Sequence, residues 1–241
     1  MKMLRRRYLF FALIGAVLGM SFPAGAQSGA ALDRLLERSL AAYGGQARLS
    51  SLSSLRLLGR INAKGQASQG RVERLFQAPD RLSNVISYGG SASERRVLIR
   101  DKAWRNGQTA SVPEHLAMSL QMARQRLPLL LLENRVGLTD LGEREQNGRR
   151  YHAVVLTVAE GVTLTVMIDS ASGLILQTAG KLALADGTNT DFTTLYSDYR
   201  SVGGLTIAMR EDHYSQGIQS GTTVLEQAEI NQPLPSNAFK P

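Results

Sequence analysis

An alternation of apolar and polar residues with a period of two recurs along most of this chain and limits the folds it can adopt. Leu55, Leu57 and Ile61, for example, alternate with polar neighbours such as Arg56. Successive side chains of a strand point to opposite faces, so this period predicts strands with one buried face. The pattern recurs at 72–76, 82–88, 97–100, around Trp104, and at 151–158, 162–168, 174–182, 192–199, 205–214 and 222–230. The sequence therefore predicts about ten strands.

Turn signals separate the later segments at the spacing of roughly 8 to 12 residues that is typical of antiparallel sheets. They are Asn147-Gly148, Glu160-Gly161, Ser172-Gly173, Asp186-Gly187, Gly203-Gly204 and Gln216-Gly217. Asn106-Gly107 closes the segment around Trp104 and suits a hairpin. These signals favour antiparallel rather than parallel strands.

Two segments have helical spacing instead. Residues 30–43 carry an apolar stripe that ends at Gly44-Gly45, and its members are Leu32, Leu35, Leu36, Leu40 and Tyr43. Residues 113–135 carry Leu116, Leu120 and Ala123 at helical spacing. Pro128 lacks an N–H and crowds the preceding turn, so we predict two short helices in 113–135 rather than one long helix.

A sheet of ten strands with one apolar face has to be closed or covered. The two helical segments are the available cover. We therefore predict a mainly β domain over residues 27–241, a strongly curved antiparallel half-barrel with helices packed on its concave face. Such a shape encloses an apolar space that either packs solid or holds a ligand, and periodicity does not distinguish these alternatives.

The charge of the chain does not favour nucleic-acid binding. The formal net charge is +8, but four of the 28 basic residues lie among the first 26 residues, which contain no acid. The remaining residues carry a net charge of +4, and their charges of both signs are interleaved. This pattern indicates a solvated surface rather than a stripe that follows phosphates. The absence of cysteine excludes disulfides, thiolate metal sites, cysteine nucleophiles and an N-terminal lipid on cysteine.

Residues 1–26 have the pattern of a cleaved signal peptide. A basic start precedes the apolar run 8–20, and Pro23 and the small residues 24–26 follow it. We expect cleavage after Ala26 and a periplasmic mature protein. A single membrane anchor is the alternative, but the apolar stretch is shorter than the roughly 20 residues that a bilayer requires.

Candidate catalytic and metal-binding groups are few. His115, His152 and His213 are scattered, and no two have the i, i+4 spacing of a helical metal site. Glu211 and His213 share a strand face, which leaves a hydrolase as an outside alternative. No nucleophile elbow, phosphate loop or dinucleotide motif occurs. We therefore expect a protein without enzymatic activity, cofactor or metal.

Several segments together resemble the LolA/LolB-like superfamily of periplasmic carriers of outer-membrane lipoproteins. They are 42–45 with Leu49, Leu52, Leu55 and Gly59; 168–169 with 172–174; 196–200 with 203–204; and 230–235 with 239–241. These are turn and strand markers, so they bear on fold more than on activity. The resemblance implies an open half-barrel sheet covered by helices, which shields acyl chains in its apolar concavity.

The segment 76–82 departs from the pattern of the carriers. Ala78 stands where the carriers have an arginine that bonds to the lid, and Leu82 stands where they have an aromatic residue. Arg74, on the face of Val72 and Phe76, could supply a displaced charge, although a salt bridge or a strand-edge position is the simpler interpretation.

The expected function is to carry or bind lipids or lipoprotein acyl chains between the sheet and a lid formed by residues 113–135. The candidate cavity and lid residues are Val72, Phe76, Leu82, Ile86, Trp104, Leu116, Leu120, Leu129, Leu130 and Leu131. The alternative is an interaction or sensor module that docks a membrane-associated protein through the same apolar surface. The expected partners are acyl chains, and a membrane-associated donor or acceptor protein is a further candidate.

Overall fold

A computed structural model of the chain describes residues 24–89, 93–146, 148–184 and 187–241. The first half contains helices α1 (Ala24–Ala42) and α2 (Gln46–Ser50), then strands β1 (Ser54–Ala63), β2 (Gly70–Gln77), β3 (Arg81–Tyr88), β4 (Glu94–Ile99), β5 (Lys102–Arg105) and β6 (Gln108–Thr109). Helices α3 (Val112–Gln125) and α4 (Leu129–Glu133) follow, with a 3₁₀ turn at Arg135–Gly137. The second half contains β7 (Thr139–Gln146), β8 (Arg149–Ala159), β9 (Val162–Asp169), β10 (Ile175–Ala183), β11 (Asn189–Val202), β12 (Leu205–Ser215) and β13 (Ile218–Ile230).

The strands form one open antiparallel sheet. Their order is β6-β5-β4-β3-β2-β1-β13-β12-β11-β10-β9-β8-β7, so the first and last strands pair in the middle of the sheet. The chain leaves the sheet at the β6 edge and returns at the β7 edge, and α3 and α4 form the connection. The helices therefore cross the face of the sheet between its two edges.

The contacts of α3 require the sheet to be strongly curved. This helix contacts β3, β4 and β5 near one edge and also β8, β9 and β10 near the other. In a flat sheet β5 and β8 would lie about 48 Å apart at about 4.8 Å per strand. A helix of 14 residues is only about 21 Å long. The sheet thus curls around α3, and the predicted half-barrel with helices on its concave face is confirmed.

Two apolar cores flank α3 inside the curved sheet. One joins α1, α3 and α4 to the strands from β8 to β10, and Leu36, Leu120 and Leu131 are buried in it. The other joins α3 to strands β1 to β5, β12 and β13, and includes Phe76 and Leu82. A small third cluster around Leu40, Leu49 and Leu205 connects α1 and α2 to β12. Several apolar residues of the predicted lid, among them Leu120, Leu127 and Leu131, are therefore buried in solid core.

The predicted helices are confirmed, including the break before α4 at Pro128. Over the described residues the sheet has thirteen strands rather than about ten, because the two-residue β6 and the edge strand β7 were not predicted. Strand β7 is an edge strand whose large apolar residue, Leu141, is 40% exposed, so it lacks a buried apolar face. Residues 1–23 of the predicted signal peptide lie outside the described residues. Asn147 and Asp186 of the predicted turns also lie outside them. No helix within the described ranges is long and apolar enough to cross a bilayer.

Gly44 and Gly45, which end α1, offer a matched test of close packing. Both have positive φ, 108° and 91°, which strains any residue with a Cβ. A Cβ at Gly44 would lie 2.2 Å from the carbonyl oxygen of Gly204, whereas a Cβ at Gly45 would meet nothing within 4 Å. We expect Gly44→Ala to lower the free energy of unfolding by clearly more than the roughly 1–3 kcal/mol that strain alone costs in Gly45→Ala. Urea denaturation of both variants measures the difference, and equal losses would contradict the close approach.

Candidate functional site

A cavity, named the main cavity here for its central position, lies between the centre of the sheet and helices α2 and α3. Its volume is about 150 Å³. Much of its wall is apolar, and that part includes Leu49, Leu52, Leu57, Leu205, Ile207 and Leu225. The rest is polar and includes Arg74, Gln121, Arg124, Thr194, Glu211 and His213. The cavity is therefore amphipathic rather than purely apolar.

A buried ion pair stands at the polar side of this cavity. Arg74 of β2 donates from Nη1 and Nη2 to Oε1 and Oε2 of Glu211 of β12, at 2.9 and 3.0 Å. Both side chains are only 10% exposed. Strands β1 and β13 lie between β2 and β12, so the pair reaches across the concave surface. Arg74 thus forms a salt bridge within the sheet, with Glu211 rather than with the lid.

Each charge of the pair offsets the desolvation penalty that burial imposes on the other. Burial by itself would raise the pKa of Glu211, but the attraction and hydrogen bonds of Arg74 outweigh it and lower the pKa to about 2. Burial likewise opposes ionisation of Arg74, yet Glu211 raises its pKa above the ordinary value. Both groups are therefore ionised at neutral pH.

His213 lies beside this ion pair on the same strand face. Its Nε2 lies 2.9 Å from Thr223 Oγ1 and 3.6 Å from Glu211 Oε2, and its Nδ1 lies 3.4 Å from Thr194 Oγ1. Burial lowers the pKa of the imidazole below its usual 6.5, and the attraction of Glu211 opposes this shift without cancelling it. His213 is consequently neutral at neutral pH.

Helix α3 presents a polar stripe to the cavity. Gln121, Arg124 and Gln125 all line it, at the i, i+3 and i+4 spacing of one helix face. Arg124 donates from Nε to Thr178 Oγ1 at 3.1 Å and from Nη2 to the carbonyl oxygen of Phe192 at 3.2 Å. These bonds fasten the stripe to β10 and β11.

The C-terminal end of α1 is also tied to the cavity wall. The hydroxyl of Tyr43, just after α1, accepts a hydrogen bond of 3.2 Å from the backbone N–H of Ile175. Tyr199 packs edge-on against Tyr43, with ring centroids 6.3 Å apart, and donates to the carbonyl oxygen of Ile175. Burial is the main cause that raises the pKa of Tyr43 to about 12. The helical cover is therefore anchored at the start of β10.

A second chamber of about 170 Å³ adjoins the main cavity. The two share Leu49, Leu52, Gln125 and Leu127 as wall residues. The residues that line only the second chamber include Phe76, Ala78, Pro79, Leu129 and Glu133. It lies where α2 and α4 approach the β2–β3 turn.

The ten residues predicted to form the site are dispersed in the structure. Phe76 and Leu129 line the second chamber, and Leu130 and Leu116 line two separate clefts. Val72, Leu82, Leu120 and Leu131 are buried core residues, and Ile86 and Trp104 are half-buried. None of the ten lines the main cavity. Their contact with a ligand stays a prediction.

Gln121, Arg124 and Gln125 line the cavity although the sequence did not predict them as site residues. Polar residues at i, i+3 and i+4 usually mark the solvent face of an amphipathic helix. Here both flanks of α3 are buried, so the polar stripe lies over the cavity instead.

Within the described ranges, no cluster of three or more histidine, aspartate or glutamate side chains could hold a metal ion.

Compared as a sequence, the chain matches no protein-family profile and no curated protein. Compared as a structure, it is similar to a LolA superfamily protein from Nitrosomonas europaea, with a TM-score of 0.56 and 10% identity over 87% of this chain and 97% of that one. A DUF1329 family protein from Desulfovibrio piger matches with a TM-score of 0.49 and 10% identity, over 86% of this chain and 96% of that one. The open curved antiparallel sheet with helices on its concave face is thus a LolA-like fold.

Proposed function

We propose that this protein is a non-enzymatic carrier or binder of lipids or lipoprotein acyl chains, which it holds between the curved sheet and its helices. The observation that carries the proposal is the amphipathic cavity with its adjoining chamber. The LolA-like fold is consistent with it, since the carriers that the sequence resembles use the same concavity. We further propose that the protein acts in the periplasm, as the signal-peptide pattern of residues 1–26 suggests.

The size of the cavity supports a single acyl chain rather than several. A cavity of about 150 Å³ holds one molecule the size of benzene. Two adjoining chambers of about 150 and 170 Å³ therefore match two short stretches of one chain. At about 0.8 kcal/mol per buried methylene, six methylenes contribute about 5 kcal/mol before ordering costs are subtracted. Larger lipids require α3 and α4 to move away from the sheet.

The arrangement around His213 does not favour hydrolysis. A catalytic triad needs the acid on one imidazole nitrogen and the nucleophile on the other. Thr194 Oγ1 lies 3.4 Å from Nδ1, but the acid is missing from the other nitrogen: Nε2 is 2.9 Å from Thr223 Oγ1, and Glu211 lies 3.6 Å away, beyond hydrogen-bonding distance. Glu211 is moreover bound through both oxygens to Arg74. We therefore assign these groups to the polar wall of the binding cavity.

Lipid extraction tests the proposal directly. Protein purified from a lysate that contains membranes is extracted and analysed by mass spectrometry, and the delipidated protein is titrated with the neutral probe N-phenyl-1-naphthylamine. We expect bound acyl lipids and an increase in probe fluorescence. A protein that is free of lipid and also ignores the probe would refute the proposal.

Filling the main cavity is expected to abolish binding. Ile207 lines it, and Ile207→Trp places an indole in the space, so we expect probe affinity to fall at least about tenfold while the protein stays folded. Ile218→Trp is the matched control, because Ile218 is 67% exposed on β13. Equal probe affinity in the two variants would exclude the main cavity as the binding site.

A further inference from the structure

The guanidinium of Arg124 makes no direct ion pair among the described residues, and Glu211 attracts it only at longer range. Its bonds go to two neutral acceptors, the hydroxyl of Thr178 and the carbonyl of Phe192. Glu211, the carboxylate of the cavity wall, is occupied through both oxygens by Arg74. Among the residues that the structure describes, no carboxylate oxygen lies within 4.0 Å of the Arg124 nitrogens. The balance of charge in the cavity wall is therefore positive.

This imbalance indicates what kind of group would complete the site. The main cavity presents two guanidinium groups and one carboxylate, while His213 is neutral. Charges removed from water are stabilised only when they are paired. A planar guanidinium matches the geometry of a carboxylate or phosphate group through parallel N–H bonds. An anionic oxygen group next to Arg124 would supply the missing partner.

Gln121 provides an independent sign of an absent polar partner. Its side-chain oxygen is buried and has no hydrogen-bond partner within the described part of the chain. Gln121 lies one turn before Arg124 and lines the same cavity. Buried side-chain amides are normally hydrogen-bonded. An unpartnered oxygen by itself calls for a donor, but rotation of the amide by 180° exchanges the oxygen and the NH₂ group, and the NH₂ group can then donate to an anion in the cavity.

We infer that Arg124 and Gln121 bind the oxyanion head group of a single-chain amphiphile, whose acyl tail extends past Leu52 into the second chamber. This inference rests on the proposed function and adds the class of ligand. The polar residues lie in the main cavity, and the shared wall of Leu49, Leu52 and Leu127 leads to the second chamber, which Phe76 and Leu129 line. A head group at Arg124 and a tail toward α4 fit this distribution of polar and apolar residues.

Three ligands of equal chain length test the inference: dodecanoate, dodecyl phosphate and dodecanol. Each displaces N-phenyl-1-naphthylamine from the delipidated protein. Because charge-assisted hydrogen bonds are worth a factor of about ten or more, we expect at least one anion to bind about tenfold more tightly than the alcohol. Preference for one anion identifies the head group. Equal affinity for all three ligands overturns this inference alone, whereas no binding of any ligand overturns the proposed function as well.

Variants of Arg124 test whether this residue causes the preference for anions over dodecanol. In Arg124→Gln we expect anion affinity to fall to within about twofold of the dodecanol affinity of the same variant. Arg124→Lys keeps the charge without the planar fork and should retain part of the preference, which gives a second test if the glutamine variant does not fold. Arg210→Gln is the control, since Arg210 pairs with Asp212 and is 46% exposed. A full anion preference in Arg124→Gln would contradict the assignment.

Discussion

Glu211→Ala is expected to lower the free energy of unfolding by about 3–5 kcal/mol, as is usual when one partner of a buried ion pair is removed. The variant leaves the Arg74 guanidinium, which is 10% exposed, without its bidentate partner. The desolvation cost of that charge is then no longer compensated. Urea denaturation followed by circular dichroism measures the loss. A loss below about 1 kcal/mol would place the pair among weak surface salt bridges and contradict its burial.

The double variant Arg74→Met with Glu211→Leu is the matched control. It removes both charges and fills the space with apolar side chains of similar length. Such replacements are often neutral or stabilising, so we expect the double variant to unfold at a higher urea concentration than Glu211→Ala. A double variant as unstable as the single one would show that packing, and not the unpaired charge, causes the loss.

The same pair predicts an acid dependence of stability. The pKa of Glu211 is about 2 in the folded protein, well below the 4.5 of an unperturbed glutamate in the unfolded chain. Its contribution to stability is therefore complete above about pH 4.5 and is lost as the pH falls toward 2. Asp169, with a pKa of about 2, adds a loss in the same range. The wild type should consequently lose more stability between pH 5 and 2 than the double variant, which retains Asp169.

Leu131→Asp is expected to prevent folding or to unfold most of the protein at room temperature. Leu131 is completely buried between α1 and the sheet. Loss of its side chain alone costs about 2–5 kcal/mol, and the unpaired carboxylate adds several more. The total stability of a domain is typically about 5–15 kcal/mol. Far-UV circular dichroism and size-exclusion chromatography detect the loss of the folded monomer.

Leu129→Asp, in the same short helix, is expected to leave the protein folded, in contrast to Leu131→Asp. Leu129 is half-buried and lines the second chamber, where a carboxylate can reach water. We expect a folded protein with a modest loss of stability and little affinity for acyl probes. If Leu129→Asp unfolds like Leu131→Asp, α4 is only core and the second chamber does not receive a ligand tail. A folded Leu131→Asp variant would instead contradict the packing of α4.

The sequence predicted the local structure well where one face of an element is buried. The alternation at Leu55 and Leu57 marks β1, and the helical stripe up to Leu40 with the two following glycines marks the end of α1. These patterns work because burial of one face imposes a period of two or 3.6 on the apolar residues. Strand β7 lacked such a signal because it lies at the edge of the sheet.

The composition of the cavity, in contrast, was decided only by the tertiary structure. Arg74 and Glu211 are 137 residues apart in the chain, and they meet because β1 pairs with β13 and the sheet curves. Arg124 faces the cavity rather than solvent because α3 has apolar cores on both sides. Local periodicity reports which residues share a face of an element. What that face meets depends on the register and curvature of thirteen strands.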